Sequence, residues 1–253
     1  MTASLILGLA PPALAAAAGI VFGAAFIRGL TGFGMAIVMV PLLGLVIPPA
    51  DAVVLAILLQ FLIGPVGLRT IIADSERATA VPIALAAVAA TPAGIALLAV
   101  TPPELARLLI ALIAIGAFVA ILVPMREAAG APVGRAVTAL TGVAAGILTG
   151  FAAMPGPPVV PFYLRREVSP LVARASMMLV FFATAIAGTA TSVVGGLATL
   201  ALGLLALALF LPMLAGNWLG SRAFGRVAPA LWRTMVGVIL GIAGIGAVAR
   251  LVA

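Results

Sequence analysis

Apolar residues run almost unbroken along this chain, and the few polar positions mark where the runs stop. Apolar segments fall at 13–28, 34–47, 51–71, 80–100, 105–124, 136–149, 157–164, 171–194, 198–219 and 231–252. A helix of about 20 residues crosses a hydrocarbon core of about 30 Å, and most of these segments approach that length. They do not alternate apolar with polar residues, as the strands of a membrane barrel would. The pattern therefore predicts an all-α integral membrane protein. The first and second segments, and the sixth and seventh, are short and separated by Gly and Pro rather than by polar loops. Glycine tolerates positive φ and proline removes a backbone donor, so each cluster predicts an interrupted helix. Interrupted backbone survives at membrane depth where it is buried in protein or lines a water-filled cavity.

The two interruptions echo one another. The first, Arg28 to Pro41, reads Arg-Gly-Leu-Thr-Gly-Phe-Gly-Met-Ala-Ile-Val-Met-Val-Pro. The second, Gly146 to Pro161, reads Gly-Ile-Leu-Thr-Gly-Phe-Ala-Ala-Met-Pro-Gly-Pro-Pro-Val-Val-Pro, so Leu-Thr-Gly-Phe recurs intact. Thr31 matches Thr149 and Pro41 matches Pro161. Further on, Gly94 matches Gly220, Pro103 matches Pro229 and Arg107 matches Arg233, in preserved order. This predicts a duplication within one membrane domain. The first repeat is 1–128, a hairpin over 13–47 and three transmembrane helices; the second is 129–253, a hairpin over 136–164 and three more.

Charge decides how the repeats are oriented. Every basic residue is Arg. If each interrupted region enters the membrane and returns, Arg69, Arg77, Arg126, Arg135, Arg165, Arg166, Arg174, Arg222, Arg226 and Arg233 share one face. Only Arg107 and Arg250 then lie opposite, the asymmetry the positive-inside rule expects. If each region crossed once, the bias would nearly vanish. The re-entrant reading makes the repeats inverted in topology, with both termini periplasmic, an arrangement common among transporters. Leu5 to Phe26 is apolar and Ala13 to Ala18 offers small residues, but nothing basic precedes Arg28, so no secretory signal is expected.

Composition confirms the solvent. Of 253 residues 65% are hydrophobic and only 8% charged, where a soluble domain carries about 25% charged residues. Mean hydropathy is +1.40. The net charge of +7 is explained by loop arginines beside lipid, and nucleic acid is not expected as a partner. Cys and His are both absent, which excludes disulfides, thiol nucleophiles, histidine triads and common zinc sites. No catalytic residue, metal or cofactor is expected.

Candidate chemistry gathers at the interruptions. Arg28, between Ile27 and Gly29, is costly in a membrane unless it lines a cavity or finds a partner, and a guanidinium suits oxyanions. If its hairpin is shallow, it instead snorkels to the interface. A helix starting near Gly34 or Gly156 would aim free amides and the positive dipole end into the break. Gly29, Gly32, Gly150 and Met154 shape the breaks, Thr31 and Thr149 offer hydroxyls, and Phe33 and Phe151 are gates or filler. Gln60 lies mid-span, and Asn217 matches Thr91 between the repeats; these three either line a pathway or join helices. All six acids, Asp51, Asp74, Glu76, Glu104, Glu127 and Glu167, stand at segment ends or in loops. Nothing embedded offers a proton relay.

The paired Gly-Leu-Thr-Gly-Phe-Gly and Gly-Ile-Leu-Thr-Gly-Phe stretches, each followed by apolar residues and Pro41 or Pro161, resemble the duplicated motif of the TauE/SafE sulfite exporter family. The likeness covers nearly the whole chain. It implies export of sulfite, sulfoacetate or related small sulfur anions across a bacterial inner membrane, with membrane lipid as surroundings; a homodimer is compatible with it. The second copy departs from the pattern at Ala152, Ala153, Met154 and Pro155, where further glycines are usual. Two other readings stay open. One is an anion channel or ion-coupled uptake permease for sulfonates or small carboxylates. A remoter one is an intramembrane enzyme, which would need a Ser/Lys or paired-acid site that this chain does not supply. The orientation has a direct check: single cysteines at Ala73 and Ala228 are expected to react with an impermeant thiol reagent from the same, cytoplasmic, face.

Overall fold

The computed structural model describes residues 10–122 and 134–223. The expected span 231–252, with Arg126, Arg226, Arg233 and Arg250, lies outside the described residues. Among those described the chain is helical, without strands. In order the helices are α1 (Pro11–Thr31), α2 (Met35–Leu43), α3 (Pro49–Ile63), α4 (Leu68–Asp74), α5 (Arg77–Val100), α6 (Pro103–Leu122), α7 (Arg135–Ala152), α8 (Gly156–Leu164), α9 (Pro170–Val194) and α10 (Leu200–Ala223). By themselves α1, α5, α7, α9 and α10 are long and apolar enough to cross a membrane.

Both interruptions fall where the glycines and prolines place them. Gly32 closes α1 with φ 84°, its N–H bonded to the Arg28 carbonyl, and Gly34 opens α2 with φ 87°. Both values lie in the left-handed region that an L side chain resists. At the second interruption that conformation is taken by Ala153, φ 57°. The Ala153 N–H bonds to the Thr149 carbonyl at 2.7 Å and the Met154 N–H to the Leu148 carbonyl at 3.1 Å. The Ala153 bond is the 5→1 bond of an αL helix cap, a position usually held by glycine. Ala153 thus takes the left-handed cap that Gly32 takes at the first break, but the second break has no counterpart to Gly34, its next helix being entered through Pro155 at φ −69°.

One expectation needs correction. The apolar run 51–71 reads as a single span, yet the chain breaks after Ile63 and α4 leaves α3 at 84°. Gly64-Pro65-Val66-Gly67 is the cause: Gly67 takes φ 75° and caps α4, and Pro65 has no N–H to continue the ladder. Hydropathy is blind to this, because none of the four residues is polar.

Helix directions follow from the close contacts of small residues. Gly142 lies on Ile83 and Ala86, Gly146 on Ala87 and Ala90, and Gly150 on Thr91 and Ile95. Numbers rise together, so α7 runs parallel to α5. Likewise Gly216 lies on Phe22, Gly220 on Phe26 and Leu30, and Gly29 on Asn217 and Ser221, so α1 runs parallel to α10. In lipid no hydrophobic force drives helices together, and such seams of small residues gain their stability from close backbone approach.

After its break each short helix turns back. The α8 end returns to the start of α5, where Tyr163 and Thr79 share a hydrogen bond of 3.1 Å and Arg166 pairs with Glu76. The α2 end returns to the far end of the bundle, where the Arg107 side chain bonds the Gly44 carbonyl at 2.9 Å. The Glu76 N–H also bonds Ser176 Oγ, so α5 and α9 start together. The end of the bundle at which α5 and α9 start therefore gathers Arg69, Arg77, Arg135, Arg165, Arg166, Arg174 and Arg222, against Arg107 at the other end among the described residues.

Burial sorts the helices into centre and rim. Along α3, Val53, Leu55, Ile57 and Leu59 are fully buried, and α2 is buried from Met35 to Pro41. A helix apolar and covered on every side is a core helix. The rim helices α5, α7, α9 and α10 instead expose Leu85, Leu97, Leu140, Val194 and Leu211, as lipid-facing surfaces require. Replacing Ala153 with Gly should relieve an unfavourable φ worth about 1–2 kcal/mol, offset by about 0.5–1 kcal/mol of added chain entropy. A slightly raised unfolding midpoint in detergent is expected, and a lowered one would contradict the cap geometry.

Candidate functional site

Between the two breaks lies a cavity of about 40 Å³. Counted the same way a single water needs about 10–15 Å³, so the space suits a few waters or one small oxyanion rather than a bulky organic molecule. Its lining comes from both halves: Arg28, Gly32, Phe33 and Gly34 from the first break, Met154, Pro155 and Gly156 from the second, and Gln60 from α3. Met178, Phe181 and Phe182 of α9 and Ile63, Gly64 and Ile71 of the bent α3–α4 segment complete it. The bend that sequence reading missed is thus part of the wall.

Arg28 stands in the last turn of α1, half buried, and donates one hydrogen bond, Nη1 to Asn217 Oδ1, at 2.9 Å. Among the described residues no carboxylate pairs with it. Sequence reading found no embedded partner for Arg28; the partner is an amide 189 positions away on α10. A second arginine approaches the same turn. Arg174, near the start of the expected segment 171–194, belongs to α9, donates to the Gly29 carbonyl at 3.3 Å, and lies across Gly32. It completes the carbonyl end of α1, where the helix dipole favours positive charge. Its charge is felt at Arg28, so the first break is a strongly positive spot.

The helices that start at the breaks differ. α2 begins at Gly34, and Met35, Ala36 and Ile37 of its first turn line the cavity. Those residues carry the N–H groups that a helix start leaves without intrahelical partners. α8 begins Gly156-Pro157-Pro158, and two prolines delete two of the corresponding donors. Amide donors are therefore concentrated at the first break.

The remaining candidates have structural places. Thr31 Oγ lies 2.9 Å from the Ile27 carbonyl and 2.7 Å from the Phe33 carbonyl, and accepts from the Phe33 N–H, tying the break's backbone together. Gln60 donates to the Ala56 and Ala153 carbonyls at 3.3 and 3.1 Å, so α3 of the first half holds the break of the second. Thr91 and Thr149 bond the Ala87 and Ala145 carbonyls of their own helices, the usual habit of threonine inside a helix. Gly150 sits in the α5–α7 seam rather than at the cavity, Gly29 sits in the α1–α10 seam, and Phe151 is buried. Arg28, Gly32, Phe33, Gly34, Gln60, Met154 and Gly156 line the cavity together; Gly29, Thr31, Thr91, Thr149, Gly150, Phe151 and Asn217 do not.

A bundle of lipid-facing helices around two broken ones, with a charged cavity where the breaks meet, has the form of a multi-pass membrane transporter. A family model described as sulfite exporter TauE/SafE matches residues 15–247. The chain belongs to that family, whose members are membrane transporters of sulfite or related anions. No curated protein and no solved structure matches it. Gly32 offers a sharp test of the site's construction. A Cβ there would stand 2.6 Å from Arg174 Cγ at φ +84°, whereas one on Gly156 would meet nothing nearer than 3.8 Å. Gly32→Ala should cost about 1–2 kcal/mol or more through backbone strain alone; Gly156→Ala should be nearly neutral, and thermal unfolding in detergent separates them.

Proposed function

We propose that this protein exports sulfite or a comparably small oxyanion across a bacterial inner membrane, binding it in the cavity between the two breaks. The observation that carries this reading is Arg28: a guanidinium at a cavity inside the bundle, with no carboxylate against it among the described residues. Embedding such a charge is expensive, and an arriving anion supplies the missing countercharge. The first turn of α2 adds aligned amides at the same place. Gly32, Phe33, Gly34, Gln60, Met154 and Gly156 shape the pocket, and the small volume favours sulfite over larger organosulfonates.

The parallel pairings of α1 with α10 and α7 with α5, and the return of α2 and α8 to opposite ends, support reading the halves as inverted copies. The arginine-rich end is then cytoplasmic and the termini periplasmic. Asp51, Asp74, Glu76 and Glu104 all lie at helix ends, and export needs no proton relay. An anion leaving a cell of inside-negative potential gains about 2.3 kcal/mol per charge per 100 mV. Uptake would need a coupled ion instead. Sulfite flux in proteoliposomes should therefore rise with an imposed potential that drives anions outward. Arg28→Gln should lower that flux by at least about tenfold, the loss of one charged hydrogen bond, with insertion unchanged. Wild-type flux in this variant would remove Arg28 from the site.

A further inference from the structure

The bond between Arg28 and Asn217 crosses one of two matching helix seams, and its counterpart shows what that seam requires. In the α1–α10 seam, Gly216 rests on Phe22, Gly220 on Phe26, and Gly29 on the Asn217 carbonyl. These contacts fix the α10 backbone one turn before the α1 break. In the α5–α7 seam the matching position to Asn217 is Thr91, which bonds back to the Ala87 carbonyl of its own helix. Facing it is Gly150, and the residue of α7 that matches Arg28 is Gly146, packed on Ala87 and Ala90. Among the described residues no side-chain hydrogen bond crosses that seam. A polar cross-link is therefore not a packing requirement of the motif, and its presence in the first seam calls for another reason.

Charge supplies that reason. Only the amide oxygen of asparagine can accept from a guanidinium, and it carries no net charge. Arg28 has five N–H donors and gives one of them to Asn217. The side chain is held in one orientation, with no carboxylate among the described residues to compensate its charge at the cavity. An aspartate of the same shape would hold it as well or better, through a charge-assisted bond, and would cancel the charge. Resting on the proposal that the cavity takes a small anion, we infer that Asn217 is a positioning residue: it orients the Arg28 guanidinium for the anion without neutralising it. Asn217 also borders an open groove with Val66, Trp218 and Ser221.

The test compares two replacements, each purified in detergent and reconstituted, with sulfite as probe. Asn217→Asp preserves shape and hydrogen bond; Asn217→Ala removes the bond and leaves Arg28 charged. If Asn217 orients without neutralising, the aspartate variant has an unfolding midpoint at or above the wild type. Its sulfite affinity, read from the sulfite-dependent thermal shift, falls about 30-fold or more, as expected when a site's charge is cancelled. The alanine variant loses less, about 3- to 10-fold, as a raised KM with kcat little changed, the signature of a lost binding orientation. The reverse order, alanine worse than aspartate, means that Asn217 only joins helices and overturns the inference. So does wild-type affinity in both. Should the aspartate variant fail to fold, the alanine variant decides: a raised KM supports the inference and an unchanged one overturns it. A wild-type protein without any response to sulfite would instead sink the transport reading beneath it.

Discussion

Everything in this structure depends on how closely backbone can approach backbone. A membrane offers its helices no hydrophobic incentive to associate with each other rather than with lipid, so contact must come from shape. Along α5–α7 and α1–α10 that shape is supplied by Gly94, Gly142, Gly146 and Gly150 on one side and Gly29, Gly216 and Gly220 on the other. The seams hold the ends of α1 and α7 against α10 and α5, next to the breaks that follow them. A break at membrane depth is tolerable because the neighbouring seam has already fixed the helix that leads into it.

Stopping a helix in lipid leaves carbonyls and amides to be satisfied, and each break here is satisfied largely from elsewhere. Arg174 of α9 closes the Gly29 carbonyl, and Thr31 binds the turn from within. Gln60 of α3 closes the Ala153 carbonyl of the second break. The helix following each hairpin thus serves the opposite half. Neither half completes its own break, which couples the two across the cavity. Positive charge accumulates on one side as a by-product: the guanidinium that caps α1 also deepens the field around Arg28.

The sequence made the class and the breaks legible because both are written in extremes, an almost uncharged chain and clusters of Gly and Pro. Gly32 and Gly34 fall where left-handed backbone ends one helix and opens the next. Less visible was anything that depends on pairing across many residues. Arg174 follows a run of loop arginines, and nothing local separates it from Arg165 or Arg166. Arg28 and Asn217 meet only because the chain brings its first helix beside its last described one. The α3–α4 bend was written plainly in Gly64-Pro65-Val66-Gly67, but a hydropathy reading passes over an apolar turn. Thr149 illustrates the opposite error: its match to Thr31 was real in sequence, yet the two hydroxyls do different work, one bridging a break and the other idling on its own helix.

Two stretches that share Leu-Thr-Gly-Phe lead into two breaks, and a pair of prolines makes the helices that follow them unequal. With Pro157 and Pro158 opening α8, that helix keeps its dipole but forfeits the contacts through which a dipole grips a ligand. The pocket is consequently lopsided in chemistry. An occupant would lean toward one wall throughout its stay, and the other wall would be free to part from it first.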